Sequence, residues 1–197
     1  IFATLFAFAP STAPEAGFQP VPWALAGYFA FTVIRLIGSH RGKLPDWLLV
    51  VSVVMDISLL MALIWSFHIQ YMQPASFYLK APTMIYIFIF IALRALRFEP
   101  CLILIAGATA IVGWLFLVLY VILSVPEDPM ITRNYVTYLT SNAILIGAEI
   151  DKIVSILLVT SVLAIAILYA QRTLNRAVTE SMAAADLSRF VSREVAE

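Results

Sequence analysis

The sequence predicts an all-α integral membrane protein: a bundle of six transmembrane helices, the first truncated, continuing into a cytoplasmic linker helix. Three observations carry that expectation. Of the 197 residues, 62% are hydrophobic and only 12% charged, and the mean hydropathy is +0.97. A water-soluble domain runs near half apolar and about a quarter charged, so lipid is the expected solvent. The apolar residues also gather into stretches approaching the roughly 20 residues that cross a hydrocarbon core of about 30 Å. Basic residues, finally, collect in alternate links, as positive-inside sorting requires. The twelve Lys and Arg balance twelve Asp and Glu, so no global field recruits nucleic acid. Cys101 is the single cysteine, which excludes an intrachain disulfide and any multi-cysteine metal site.

Taken in order, Ile1–Ala9 reads as the last turns of a first span whose start is missing. The chain opens without methionine in an apolar run, and no basic segment precedes it as a signal peptide would need. Pro22–Gly38 and Trp47–Phe67 are the second and third spans. Ala81–Leu96 is a short fourth, bounded by Lys80 and Arg97, with Arg94 able to snorkel from its end. Leu102–Ser124 and Ile153–Ala170 complete the set. The spacing of Val136, Leu139, Ala143 and Ile146 predicts an amphipathic surface helix leading into the sixth span. Residues 1–171 are thus the membrane domain and residues 172–197 a cytoplasmic transmitter helix. Arg35, Arg41 and Lys43 mark one link as cytoplasmic, Arg94 and Arg97 another, and Arg172 and Arg176 the C-terminal side. A bacterial inner membrane with the C-terminus in the cytoplasm is the expected location.

Few polar residues interrupt these spans. Asp56 lies ten positions after Asp46, about 15 Å along a helix and near the midplane. An acid there costs about 2.5–3.5 kcal/mol on insertion scales, so it faces the bundle and finds a partner. Two readings stay open: a packing aspartate, protonated or paired with a tyrosine or serine hydroxyl, or a ligand-sensing carboxylate. Ser52 sits one turn before it. Glu149, Asp151 and Lys152 form a charged collar at the start of the sixth span, where opposite charges cap and anchor a helix or gate a ligand. His68 is expected at the outer interface, with a pKa that leaves pH sensing open. Asp56, His68, Glu149 and Lys152 are therefore the candidate sensing residues. His40 and His68 stand 28 positions apart, about 42 Å along a helix, and cannot ligate one haem between them. No glycine-rich phosphate loop, zinc-protease motif or nucleophile elbow occurs, so no catalytic residue and no cofactor is assigned to this chain.

After the sixth span the proline-free stretch from Gln171 to Glu197 predicts a continued helix. Leu174, Val178, Met182 and Ala185 fall near heptad spacing, a short seam for a second copy. The run Asp186-Leu187-Ser188-Arg189-Phe190-Val191-Ser192-Arg193-Glu194-Val195-Ala196 is similar to the segment that precedes the catalytic domain of bacterial class III adenylate cyclases. The stretches SFHIQYMQPASFYLKAP, IFIALRALRFEP and GAEIDKIVSILLVT resemble the six-helix membrane region of one branch of that family. Arg193 stands where the family run carries proline. The resemblance implies a homodimeric membrane anchor and sensor, with Leu174, Val178, Met182 and Phe190 in its transmitter. It also implies a downstream domain that converts ATP to cyclic AMP using magnesium or manganese, and a lipid or other apolar ligand. A stand-alone membrane scaffold subunit of a larger complex is the alternative, and a quinone or haem carrier a third.

Overall fold

The computed structural model describes residues 20–41, 45–124 and 131–194. Among these, six α-helices follow in order: α1 (Pro20–Arg41), α2 (Asp46–Gln70), α3 (Ile85–Ala95), α4 (Pro100–Ser124), α5 (Tyr135–Thr140) and α6 (Ile146–Glu194). Two 3-10 segments, Ala75–Lys80 and Pro82–Met84, lead into α3. The described residues contain no strand; Ile131 and Ile144 form an isolated bridge.

Three helices are long and apolar enough to cross a membrane: Trp47–Gln70, Pro100–Ser124 and Ile146–Ala184. Pro22–Gly38 and Pro82–Ala95 are shorter apolar helices, and Ile1–Ala9 lies outside the described residues. The expectation of six spans, the first truncated, therefore reduces to three by length and composition among the described residues. At α3 the cause is local. Pro82 opens a 3-10 turn, the α-helix begins only at Ile85, and the 14 residues from Pro82 to Ala95 reach about 22 Å.

On α2 and α4 residues three and four apart turn inward, the pattern of a helix with one buried stripe. On α2 these are Leu49, Ser52, Val53, Asp56, Ile57, Leu60 and Ile64. The core joins this face to α4, where Ile103, Ala106, Ala110, Trp114 and Val121 have no or almost no exposed surface. Small residues let α4 and α6 approach closely, the device by which membrane helices gain van der Waals contact. A methyl group added at Gly107 would stand 2.3 Å from Thr160 Oγ1. Large apolar side chains cover the outside, among them Phe29, Leu104, Phe116, Leu123, Leu158 and Val162. Such a surface suits hydrocarbon and would aggregate in water.

Two turns carry a non-glycine residue with positive φ, Met72 at 51° and Phe98 at 55°. L-residues enter this left-handed region at a steric cost of about 1–2 kcal/mol. The Phe98 turn is tied down, because Gln171 Nε2 donates to its carbonyl and so links the α3–α4 connection to α6.

The expected amphipathic helix stops early. Its face of Val136, Leu139, Ala143 and Ile146 is divided because α5 ends at Thr140. Ser141 Oγ donates to the Thr137 carbonyl at 2.6 Å and accepts from Ala143 N–H at 3.2 Å. These side-chain bonds replace the next helical turn. Ala143 is then buried while Val136 and Leu139 stay exposed.

Candidate functional site

Asp56 sits on the buried stripe of α2 with 2% of its surface exposed. Its partners are arginines from two other helices. Arg94 Nη2 donates to Asp56 Oδ2, and Arg35 Nη1 lies 3.5 Å from the same oxygen. Arg94 continues the inward face Ile87, Phe90 and Ile91 of α3, so it points into the bundle. That corrects its expected role as a residue that only snorkels and sets topology. Arg35 belongs to the α1 face that also holds Tyr28 and Phe31. Its guanidinium lies 5.9 Å from the Phe31 ring centre. Tyr28 OH donates to the Asp56 backbone carbonyl at 3.4 Å, and its ring packs 5.7 Å from that of Phe90. One carboxylate thus collects α1, α2 and α3.

The site is incompletely satisfied. Asp56 Oδ1, Arg94 Nε and Ser52 Oγ are buried without a hydrogen-bond partner. Ser52, one turn before Asp56, does not pair with it. An unpaired buried polar group costs about 1–3 kcal/mol, and more when charged, so three such atoms at one place call for an acceptor and donors that protein atoms do not supply.

A second polar cluster lies at the opposite end of the bundle. Glu149 is 3% exposed at the start of α6. It accepts from Trp114 Nε1 at 3.0 Å and from Lys152 Nζ at 2.7 Å. Lys152 also donates to the Leu79 carbonyl at 2.7 Å and lies 4.9 Å from the Trp114 ring centre. Lys80 donates to the Tyr138 and Ser141 carbonyls and rests on the Tyr138 ring. Burial pushes the Lys80 ammonium below the ordinary lysine pKa, against the opposing pull of the Glu149 carboxylate. The expected collar therefore divides. Glu149 and Lys152 clamp α4 and the 3-10 segment to α6, whereas Asp151 is exposed.

His68 closes α2 among the rings of Trp65, Tyr78 and Tyr120, with centre distances of 5.1, 5.5 and 6.1 Å. Its Nδ1 contacts the Trp65 carbonyl. Beside this cluster a cleft of about 310 Å³ between α2 and α4 is lined by Met61, Trp65, Gly113, Phe116 and neighbours. The four candidate sensing residues are therefore not one site. Glu149 and Lys152 form one cluster, Asp56 another with partners that sequence reasoning passed over, and His68 a third environment. No group of three or more His, Cys, Asp or Glu that could hold a metal ion occurs among the described residues. In the transmitter stretch, Leu174, Val178 and Met182 are 60%, 44% and 64% exposed on a helix that runs without interruption to Glu194. The Phe190 side chain lies outside those described.

Comparison with family models, curated proteins and solved structures finds no match to this chain.

Proposed function

We propose that this chain is the membrane anchor and sensory region of a bacterial adenylate cyclase. The reading rests on one juxtaposition. The run from Asp186 to Ala196, which resembles the linker before a cyclase catalytic domain, begins on the same helix that forms the core contact with α4. An uninterrupted helix of 49 residues, about 74 Å long, couples a bundle rearrangement to whatever follows. In this reading α1 and α3 join α2, α4 and α6 as a fourth and a fifth span, the truncated Ile1–Ala9 is the sixth, and α6 leaves the bacterial inner membrane on the cytoplasmic side. Leu174, Val178 and Met182 meet a second copy, because an apolar stripe beyond the bilayer needs cover from water. Asp56, His68, Glu149 and Lys152 respond to a lipid or other apolar ligand. The metal-dependent chemistry belongs to a downstream domain using magnesium or manganese.

Expression of the complete reading frame in a cyclase-deficient bacterium tests the activity directly. Accumulation of cyclic AMP is expected. Its absence, with the protein present in membranes, favours the stand-alone scaffold instead. Transmission has its own test. One alanine inserted after Ala183 rotates everything beyond by about 100°, while seven restore the register nearly. The single insertion is expected to change cyclic AMP output several-fold and the heptad insertion to leave it close to wild type. Equal outputs from both would make the helix a passive tether.

Topology follows from the same reading. In a Cys101→Ser background, Gly42→Cys and Asn175→Cys are expected to stay unlabelled by an impermeant thiol reagent added outside intact cells. Labelling of either one would invert the orientation.

A further inference from the structure

The polar site on α2 carries more positive charge than it neutralises. Arg35 and Arg94 supply two guanidinium groups and Asp56 one carboxylate, and among the described residues no second acid reaches either arginine within salt-bridge distance. A net positive charge in or beside hydrocarbon is costly unless an anion joins it. Of the three open atoms, Asp56 Oδ1 is an acceptor and calls for a donor, whereas the other two agree in sign with an anion. Arg94 Nε is an unpartnered buried donor, and the Ser52 hydroxyl can donate as well. Both lie on the helices that hold Asp56. Access also fits, because the Arg35 side chain keeps 27% of its surface exposed while Asp56 keeps 4%. Arg94 is in the last turn of α3 and Arg35 lies in the C-terminal part of α1. Long arginine side chains extend toward the headgroup level, and Arg35, six positions before the end of α1 and partly exposed, is the one that opens this deeper site toward a lipid.

We propose that Arg35, Arg94 and Ser52 bind the phosphate of an anionic phospholipid from the leaflet on the Asp46 side of α2, with Asp56 holding the two arginines in place. Guanidinium groups match phosphate oxygens with paired, directional donors, which an ammonium cannot do. Basic pockets between membrane helices hold anionic headgroups by the same means. Asp56 then has a second task. It keeps the empty site from carrying two uncompensated charges, and it sets the residual attraction at one. This inference deepens the lipid response proposed above for Asp56 but does not rest on cyclase activity, so lipid retention and cyclic AMP output can fail separately.

The test uses the full chain in nanodiscs of phosphatidylcholine containing a minor fraction of phosphatidylglycerol. Lipids that remain bound after gentle detergent release are counted by native mass spectrometry. Wild type is expected to retain phosphatidylglycerol above its share of the disc. Arg35→Gln removes the surplus charge and lowers that enrichment about fivefold, the worth of one basic residue at a lipid surface. Asp56→Asn doubles the surplus and raises it. Loss of folding cannot produce both changes, because they have opposite sign. Equal enrichment in wild type and Arg35→Gln would overturn the site. Release of the lipid by millimolar inorganic phosphate would assign the pocket to a free anion and overturn the lipid assignment.

Discussion

Asp56→Leu is expected to destabilise the bundle by about 3–5 kcal/mol, the cost of removing one partner from a buried ion pair. The substitution adds apolar volume where hydrocarbon surrounds the helices, so a count of transfer energies alone predicts a gain. The arginines reverse that sign. Arg94 keeps 11% of its side-chain surface and loses its carboxylate, while Arg35 can swing outward. Asp56→Asn should cost less, because an amide oxygen still accepts from Arg94. The double variant Asp56→Leu with Arg94→Leu should recover much of the loss, since no buried charge then lacks its partner. Denaturant unfolding in mild detergent, followed by helical circular dichroism, reads all three. A single Asp56→Leu variant as stable as wild type would show that the arginines do not depend on this carboxylate.

The second large effect lies between α4 and α6. Gly107→Ala places a methyl group 2.3 Å from Thr160 Oγ1, 2.4 Å from its Cγ2 and 2.8 Å from its Cβ. Threonine is branched at Cβ and short, so it cannot swing its bulk away. The helices must separate, and overpacking of this kind costs about 1–3 kcal/mol. The remedy is specific. Thr160 Oγ1 is buried without a hydrogen-bond partner, so Thr160→Ala gives up no hydrogen bond and removes the two closest atoms, leaving only the Cβ at 2.8 Å. The pair Gly107→Ala with Thr160→Ala is expected to recover part of the loss in the same unfolding assay, the remainder being the Cβ–Cβ contact. Failure of the second change to rescue the first would place the strain elsewhere.

Much of this architecture is legible in the sequence because lipid imposes a coarse code. Hydrophobic length marks α2, α4 and the first part of α6 without tertiary information. Depth alone marks Asp56 as a residue that needs a partner. The partner was harder to see. Arg94 stands near the end of an apolar stretch, where topology sorting already accounts for a basic residue. Only its place after Ile87, Phe90 and Ile91 at helical spacing distinguishes an inward side chain from a snorkelling one. Likewise Glu149, Asp151 and Lys152 look alike along the chain. The helical turn puts Glu149 and Lys152 on one face at i and i+3, and sends Asp151 to the outside. Gly107 and Thr160 give no local signal, since a close approach of two helices depends on residues far apart in sequence. The Ser141 turn that ends α5 overrides a hydrophobic spacing that taken alone favours continuation.

The tie between Gln171 and Phe98 makes a fulcrum of the last bundle contact on α6. The arm beyond it, from Arg172 to Glu194, is about 35 Å long. A tilt of about 10° at the fulcrum moves the far end by about 6 Å, more than one helical turn. The inner arm, from Glu149 to Gln171, is about 33 Å long, so a sideways shift at Glu149 would reach the far end reversed in direction and nearly unchanged in size. Axial rotation of α6 would pass along the same arm with its sense unchanged. The far end of α6 therefore has two distinguishable motions open to it, a reversed sideways sweep and an unreversed twist.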